Sequence, residues 1–375
     1  MKILFTGGGS GGHFYPIIAV AEQIEKIAIE RKYLSPNLYF MSTDPFDERM
    51  LFDHHIEFLK VSAGKMRLDA PIKNILDSFN TFIGTIKAIF KMFSIYPDVV
   101  FSKGAYASFP ALLAARILRI PVVIHESDSV PGRANKWAGK FADRIAVSYA
   151  EAAKYFPKER VALIGQPTRE AIKPHPRDEA ERFLKLESGL PVMLILGGSQ
   201  GAEKINELVI SVLPELLKNW VIIHQTGKAN LSEVVNRAKV AVPELAVQSR
   251  YHPFDFLPDS AMAMAAGAAN LVISRAGSTI FEIASWGIPS IVIPITESNG
   301  DHQRQNAFNY LQSGAAIMIE EANLTPHIFI EEVERLRNNP ELMKNMAVAA
   351  KNFYQPDAAR KIAEALIKIC LEHER

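Results

Sequence analysis

Short apolar runs rich in β-branched and aromatic residues alternate along this chain with longer amphipathic stretches. KILFT, LYFMS, DVVFS, PVVIH and RIAVS are apolar runs too short for helices, and read as buried strands. Between them, residues 16–29, 71–95, 109–118 and 135–141 carry apolar side chains at helical spacing. Strand–helix alternation of this kind predicts an α/β fold, a doubly wound parallel sheet with helices on both faces.

The pattern breaks at VALIGQPTREAIKPHPRDEAERF, where three prolines fall without sustained periodicity, and then restarts. VMLIL, WVIIH, NLVIS and PSIVIPI read as strands. Residues 202–217 and 279–286 read as helices, the second closed by Gly287. Residues 356–372 form a last helix. The expected organisation is a first domain over 1–166 and a second over 167–355, with a tail of about 356–375 packing back on the first. LILGGSQGAEKIN repeats the plan of the opening LFTGGGSGGHF, an apolar strand, a glycine-rich turn and a helix. Two Rossmann-like domains with a cleft between them follow, with ligands beyond the carboxyl ends of the strands.

Five of the six residues Gly7–Gly12 are glycine. A helix start presents unpaired N–H groups, and missing Cβ atoms let an anion approach. A diphosphate or a polar sugar edge therefore suits both loops, against the plainer reading of tight helix–strand packing. Gly7, Gly9 and Gly12 also satisfy G-x-G-x-x-G. The acidic residue due about 20 positions later has no good candidate, however, since Asp44 stands well beyond that interval. A Walker A loop is excluded, because His13-Phe14 replaces Lys-Ser/Thr. His13 either satisfies the helix terminus or, held neutral by the helix dipole, accepts a proton from an attacking hydroxyl.

The densest motif is LVISRAGSTIFEIASWGIPSIVIPITESNGDHQRQNA. Thr279 and Glu282 have capping-box spacing, which makes Glu282 a cap partner. A carboxylate there also suits the cis-diol of a ribose, with N–H groups of Ser278 and Thr279 on a diphosphate. Asp301, His302, Gln303 and Gln305 form either a polar loop or a reader of sugar hydroxyls.

Net charge is +1, which gives no global case for nucleic acid as a partner. The one cysteine, Cys370, rules out an internal disulfide and fits a reducing compartment. MKILFT is too short for the apolar core of a signal peptide, and no uninterrupted apolar run reaches the length of a spanning helix. A soluble or peripheral protein is expected. No cluster of His, Cys or Asp has metal-ligand spacing, so no metal and no cofactor is expected.

GGGSGGHFYP, HESDSVPGRANK, IGQPTRE, LGGSQGAEKIN, SRAGSTIFEIASWGIPSIVIP and DHQRQNA, in this order, resemble the MurG family across essentially the whole chain. The resemblance implies the GT-B fold of glycosyltransferase family 28. It also implies inverting transfer of GlcNAc from UDP-GlcNAc to the MurNAc C4 hydroxyl of lipid I, giving lipid II and UDP. Ser10, Gly11 and Gly12 would line the substrate cleft, and His13, Glu126 and Asp128 are the candidate bases. Arg169 and Ser199 should reach the donor. Ser278, Thr279, Ile280 and Phe281 would lie along the nucleotide, with Glu282 on the ribose and Gln303 on the GlcNAc hydroxyls. A backbone contact to uracil is expected near Phe256 and Leu257. Cell-wall synthesis proteins are further possible partners. Two departures stand out. Asp128 occupies a place where similar proteins have asparagine, and Glu203 one where arginine is usual.

The lipid-linked acceptor of that family implies contact with an anionic membrane surface, at the cytoplasmic face of the bacterial inner membrane. Within 71–95, Phe79, Phe82, Ile86 and Phe90 recur at helical spacing with Lys73 and Lys87 nearby. The plain reading is a core face; the alternative is a partly exposed membrane-docking edge. Other functions compatible with the glycine loops are a different GT-B enzyme using UDP-GlcNAc, including an epimerase, an NAD(P)-binding oxidoreductase, or an inactive nucleotide-sugar-binding protein.

Overall fold

A computed structural model describes residues 1–65, 71–187, 189–198, 201–296 and 301–373; the side chains of 71–76 and 373 lie outside the description. The chain divides into two compact units, Met1–Arg169 with Gln355–Arg375, and Glu170–Tyr354.

The first unit is built on strands β1 (Lys2–Thr6), β2 (Asn37–Ser42), β3 (Ile56–Lys60), β4 (Val99–Ser102), β5 (Val122–Glu126), β6 (Arg144–Val147) and β7 (Val161–Leu163). Their order is β3-β2-β1-β4-β5-β6-β7, and every pairing is parallel. Side chains alternate between two apolar layers. Ile3 and Phe5 pack on one face with Phe14, Ile17 and Ile18, while Leu4 packs on the other with Ala88, Met92 and Leu112. The strand order reverses direction between β1 and β4, and Thr6 pairs there with Ser102. That register sets Gly7 and Lys103 side by side beyond the strand ends, where doubly wound sheets bind ligands.

The second unit repeats the plan with β8 (Val192–Leu196), β9 (Val221–Gln225), β10 (Tyr251–Phe254), β11 (Leu271–Ser274), β12 (Ser290–Val292) and β13 (Ala316–Met318). Their order is β10-β9-β8-β11-β12-β13, again all parallel. Leu196 pairs with Ser274 across the equivalent switch point, which places Gly197 beside Arg275.

The helix expected over 16–29 runs over Gly11–Glu30, so its first turn consists of the last two glycines of the loop and His13. Pro16 sits one turn inside, where its missing N–H costs one backbone bond of the helix. The last helix, Ala358–His373, packs on Gly11–Glu30 through Ile362, Ala363, Leu366 and Cys370. Arg360 pairs with Glu30 at 2.7 Å and Arg31 with Glu364 at 3.0 Å.

The helix Pro71–Ile95 turns its small residues inward. Gly84, Thr85, Ala88 and Met92 are buried, and a Cβ at Gly84 would strike the Ser62 carbonyl. The aromatic stripe is therefore not the core face. Phe79, Phe82, Phe90 and Phe93 are 62–71% exposed, and Ile86 is 39% exposed. Lys87 is exposed as well; the Lys73 side chain lies outside the described residues. Among the described residues, no helix is long and apolar enough to cross a membrane.

Candidate functional site

The opening loop is shaped first by its own neighbours. A Cβ on Gly8 would lie 2.6 Å from Ser42 Oγ, and one on Gly11 would lie 2.7 Å from the Tyr15 ring. One on Gly7 would stand 3.2 Å from the Lys103 Cβ, and Gly9 has φ +83°. Close packing and backbone conformation thus account for four of the glycines. Gly12 is half-buried in the first turn.

Ser10 ends the loop with extended backbone, and its carbonyl accepts from the N–H groups of His13 and Phe14. Its hydroxyl makes no cap to the backbone; it lies 2.8 Å from His13 Nδ1. Burial, then the Lys103 ammonium, hold His13 down to about 4, while Asp128 pulls the other way. His13 is therefore neutral near pH 7, the state a proton acceptor requires.

Beyond β4, Lys103 is 2% exposed. Its Nζ donates to Ser127 Oγ and His125 Nδ1, each at 2.5 Å. His125 Nε2 in turn donates to the Gly165 carbonyl at 2.9 Å, which fixes the tautomer. Burial draws Lys103 down to about 7 against the opposing pull of Glu126 and Asp128.

Glu126 is 4% exposed and directed into its own loop. Its Oε1 accepts from Asp128 N at 3.0 Å, and its Oε2 from Gly132 N at 3.1 Å and Asn135 Nδ2 at 2.9 Å. Burial and the Asp128 charge raise it to about 7. With both oxygens occupied, Glu126 braces the turn that carries Asp128, which is a poor arrangement for a base acting on substrate. Asp128 itself is half-buried. Arg169, 6% exposed, stacks on Tyr15 with its guanidinium carbon 3.7 Å from the ring centroid.

In the second unit, Gly197 is closed in by the Ala202 amide and the Gln225 carbonyl, and Gly201 by Asn230 and the Thr226 carbonyl. Gly198 has φ +76° and faces open space. Ser199 lies outside the described residues. The helix Thr279–Trp286 has Ser278 as its N-cap, without a side-chain cap bond. Glu282 is therefore one position past the place a capping box needs, and Thr279 is a helical residue, not the cap. Ser278, Thr279 and Glu282 are half-buried, and Gly277 is open. Ile280 and Phe281 belong to the interior. Ile280 is fully buried and Phe281 stacks on Phe353, so a ligand would meet their backbone alone. Their N–H groups donate to the Gly277 and Ser278 carbonyls at 3.2 and 3.1 Å.

Leu257 is 1% exposed and its N–H donates to Gln225 Oε1 at 3.0 Å. Gln303 Oε1 accepts from Ile295 N at 3.2 Å, which orients its amide. Arg275 is tied to Glu321 at 2.7 Å. Thr296 and Lys204 also reach Glu321, at 3.0 and 3.3 Å. Hydrogen bonds from Arg275 and Thr296 take Glu321 down to about 2, against the upward pull of burial. No group of three or more His, Cys, Asp or Glu is placed to hold a metal ion among the described residues.

Sequence reasoning missed Lys103, Asn135, Tyr15 and Gln225. Lys103 was discoverable, because it directly follows a strand next to the switch point and precedes a glycine.

Residues 3–147 match the glycosyltransferase family 28 N-terminal domain, and 192–362 match the family 28 C-terminal domain. A UDP-N-acetylglucosamine–N-acetylmuramyl-(pentapeptide) pyrophosphoryl-undecaprenol N-acetylglucosamine transferase of Bacillus cereus is 36% identical, over 97% of this chain and 98% of its own length. The crystal structure of Acinetobacter baumannii MurG is 26% identical with a TM-score of 0.72, covering 98% of this chain and 99% of that one. The UDP-GlcNAc 2-epimerase of Neisseria meningitidis shares the fold alone, at 15% identity and a TM-score of 0.69, over 98% of this chain and all of that one.

Proposed function

The chain belongs to glycosyltransferase family 28, and from that membership we propose that it moves GlcNAc from UDP-GlcNAc to the MurNAc C4 hydroxyl of lipid I, giving lipid II and UDP. The observation that carries this reading is the relation to the Bacillus cereus transferase, 36% identity over 97% of the chain, which spans both units. It sets aside the oxidoreductase suggested by the first glycine loop. Likeness to an epimerase at 15% identity speaks only to the fold.

The acceptor hydroxyl attacks C1 of GlcNAc, the bond from C1 to the diphosphate oxygen breaks, and the anomeric centre inverts. His13 takes the hydroxyl proton at Nε2. That requires Nδ1 to carry the imidazole hydrogen and donate to Ser10 Oγ, the 2.8 Å partner. Charge grows on the departing diphosphate. N–H groups at the start of Thr279–Trp286 and the Arg169 guanidinium would meet it, with no metal in the role. Glu282 accepts from the ribose hydroxyls and Gln303 reads the sugar.

The acceptor is anchored in lipid, and the exposed Phe79, Phe82, Ile86 and Phe90 with Lys87 suit an anionic membrane surface. Peripheral attachment at the cytoplasmic face follows from where the donor nucleotide is found. The test is UDP formation from UDP-GlcNAc with and without a lipid I analogue. Acceptor-dependent release supports the transfer; release that ignores the acceptor points to hydrolysis or epimerisation.

A further inference from the structure

We propose that Lys103 is a positioning residue of the transfer, a buried ammonium that joins the glycine loop carrying His13 to the turn carrying Asp128 and balances the carboxylates there. This rests on the transferase reading with His13 as proton acceptor.

The geometry is specific. Lys103 follows β4, and its N–H donates to the Thr6 carbonyl at 2.9 Å, which fixes it beside the first loop. Its Cβ lies 3.2 Å from where Gly7 would carry one. At its far end Nζ donates to Ser127 Oγ, the neighbour of Asp128, and to His125 Nδ1. One side chain thus spans from the loop that leads to His13 to the turn that presents Asp128, while 2% exposed. A buried lysine is costly unless its charge is used. The carboxylates around it, Glu126 and Asp128, both stabilise its charged form.

The charged and titratable groups around this point are His13 on its helix, Lys103 after β4, and His125, Glu126 and Asp128 at and after β5. Lys103 lowers His13 and Asp128 raises it. Burial keeps His13 neutral first, and the Lys103 cation adds to it, beside an acid that draws a proton to the imidazole. Without Lys103, two carboxylates would share a buried turn with no counter-charge, and that turn would shift or take up a proton.

Full-length wild type, Lys103→Met, Asp128→Asn and the double variant test this. Two readouts are needed, NMR titration of the His13 imidazole and acceptor-dependent UDP release, with thermal melting to establish folding. Lys103→Met should raise the His13 midpoint by about one pH unit and cut turnover by about tenfold or more. Asp128→Asn should lower the midpoint. The double variant should return the midpoint towards wild type and recover turnover relative to Lys103→Met. An unmoved midpoint in Lys103→Met, or a double variant no better than it, would overturn the proposal. If Lys103→Met does not fold, the double variant decides. With both charges gone, it should fold and keep a neutral His13, and its failure to do either counts against the pairing. Wild type that releases no acceptor-dependent UDP would instead sink the transferase reading, which the imidazole titration does not depend on.

Discussion

Ser10 Oγ lies 2.8 Å from His13 Nδ1, across the first turn of the helix Gly11–Glu30. A hydroxyl at an N-cap usually accepts from the backbone, and here it is given to the imidazole. If His13 accepts the proton, His13→Ala should lower turnover by about a hundredfold or more. Ser10→Ala should cost about tenfold, through loss of the preferred tautomer, with UDP-GlcNAc affinity unchanged. Steady-state UDP release measures both. A loss of only about threefold in His13→Ala would end its assignment as base.

Glu282 is half-buried on the first turn after the open Gly277. Glu282→Gln keeps the shape and removes the charge that accepts from two hydroxyls. UDP affinity should fall about tenfold, and the preference for UDP over 2′-deoxy-UDP should shrink. Isothermal titration with both nucleotides reads this directly. An unchanged preference would remove Glu282 from the ribose.

Gly8 and Gly277 separate packing from ligand contact. Gly8→Ala drives a methyl into Ser42 Oγ and should destabilise the fold by about 1–3 kcal/mol in chemical denaturation. Gly277→Ala meets nothing within 4 Å, so stability should stay within about 0.5 kcal/mol. Its effect should be on the KM for UDP-GlcNAc, because the methyl enters the space beside the helix start.

Phe82→Asp and Phe90→Asp should leave the melting temperature nearly unchanged, since both side chains are exposed. Each should weaken co-sedimentation with vesicles containing anionic lipid by about tenfold or more. Lys87→Glu should weaken binding to anionic vesicles and leave binding to neutral ones alone.

His224 is fully buried, with Nδ1 2.8 Å from Tyr251 Oη and Nε2 3.0 Å from Asn206 Oδ1. Burial lowers it to about 3. A histidine depressed in the folded state gives stability that is present above 6.5, its ordinary value, and lost as pH falls towards 3. At pH 5 this loss is about 2 kcal/mol. His224→Gln should be less stable than wild type at pH 7.5, but its stability should decline less between pH 7 and 5. Urea denaturation at the two pH values tests it.

The strands legible in the sequence and those that were not divide by position in the sheet. β1, β4, β5, β8, β9 and β11 are interior, covered on both faces, and appear as continuous apolar runs. The strands overlooked, β3, β7, β10 and β13, are the four sheet edges. Edge strands are short and partly wet, so no apolar run marks them. β7 is VAL with two exposed positions, and β10 contains Pro253.

The sequence by itself determined the two strand–glycine–helix units, the break near 164–176, and the motif set that identifies the family, because those signals are local in the chain. Tertiary structure decided which of these side chains are buried, which are exposed and which lie together. The stripe Phe79–Phe93 has helical spacing whether it faces core or solvent; the small residues Gly84, Ala88 and the contact at Ser62 settle it. Lys103 follows β4 and reaches His125 and Ser127, beside Asp128, only because β4 and β5 lie side by side. The charge balance around His13 depends on that register, which periodicity along the chain does not encode.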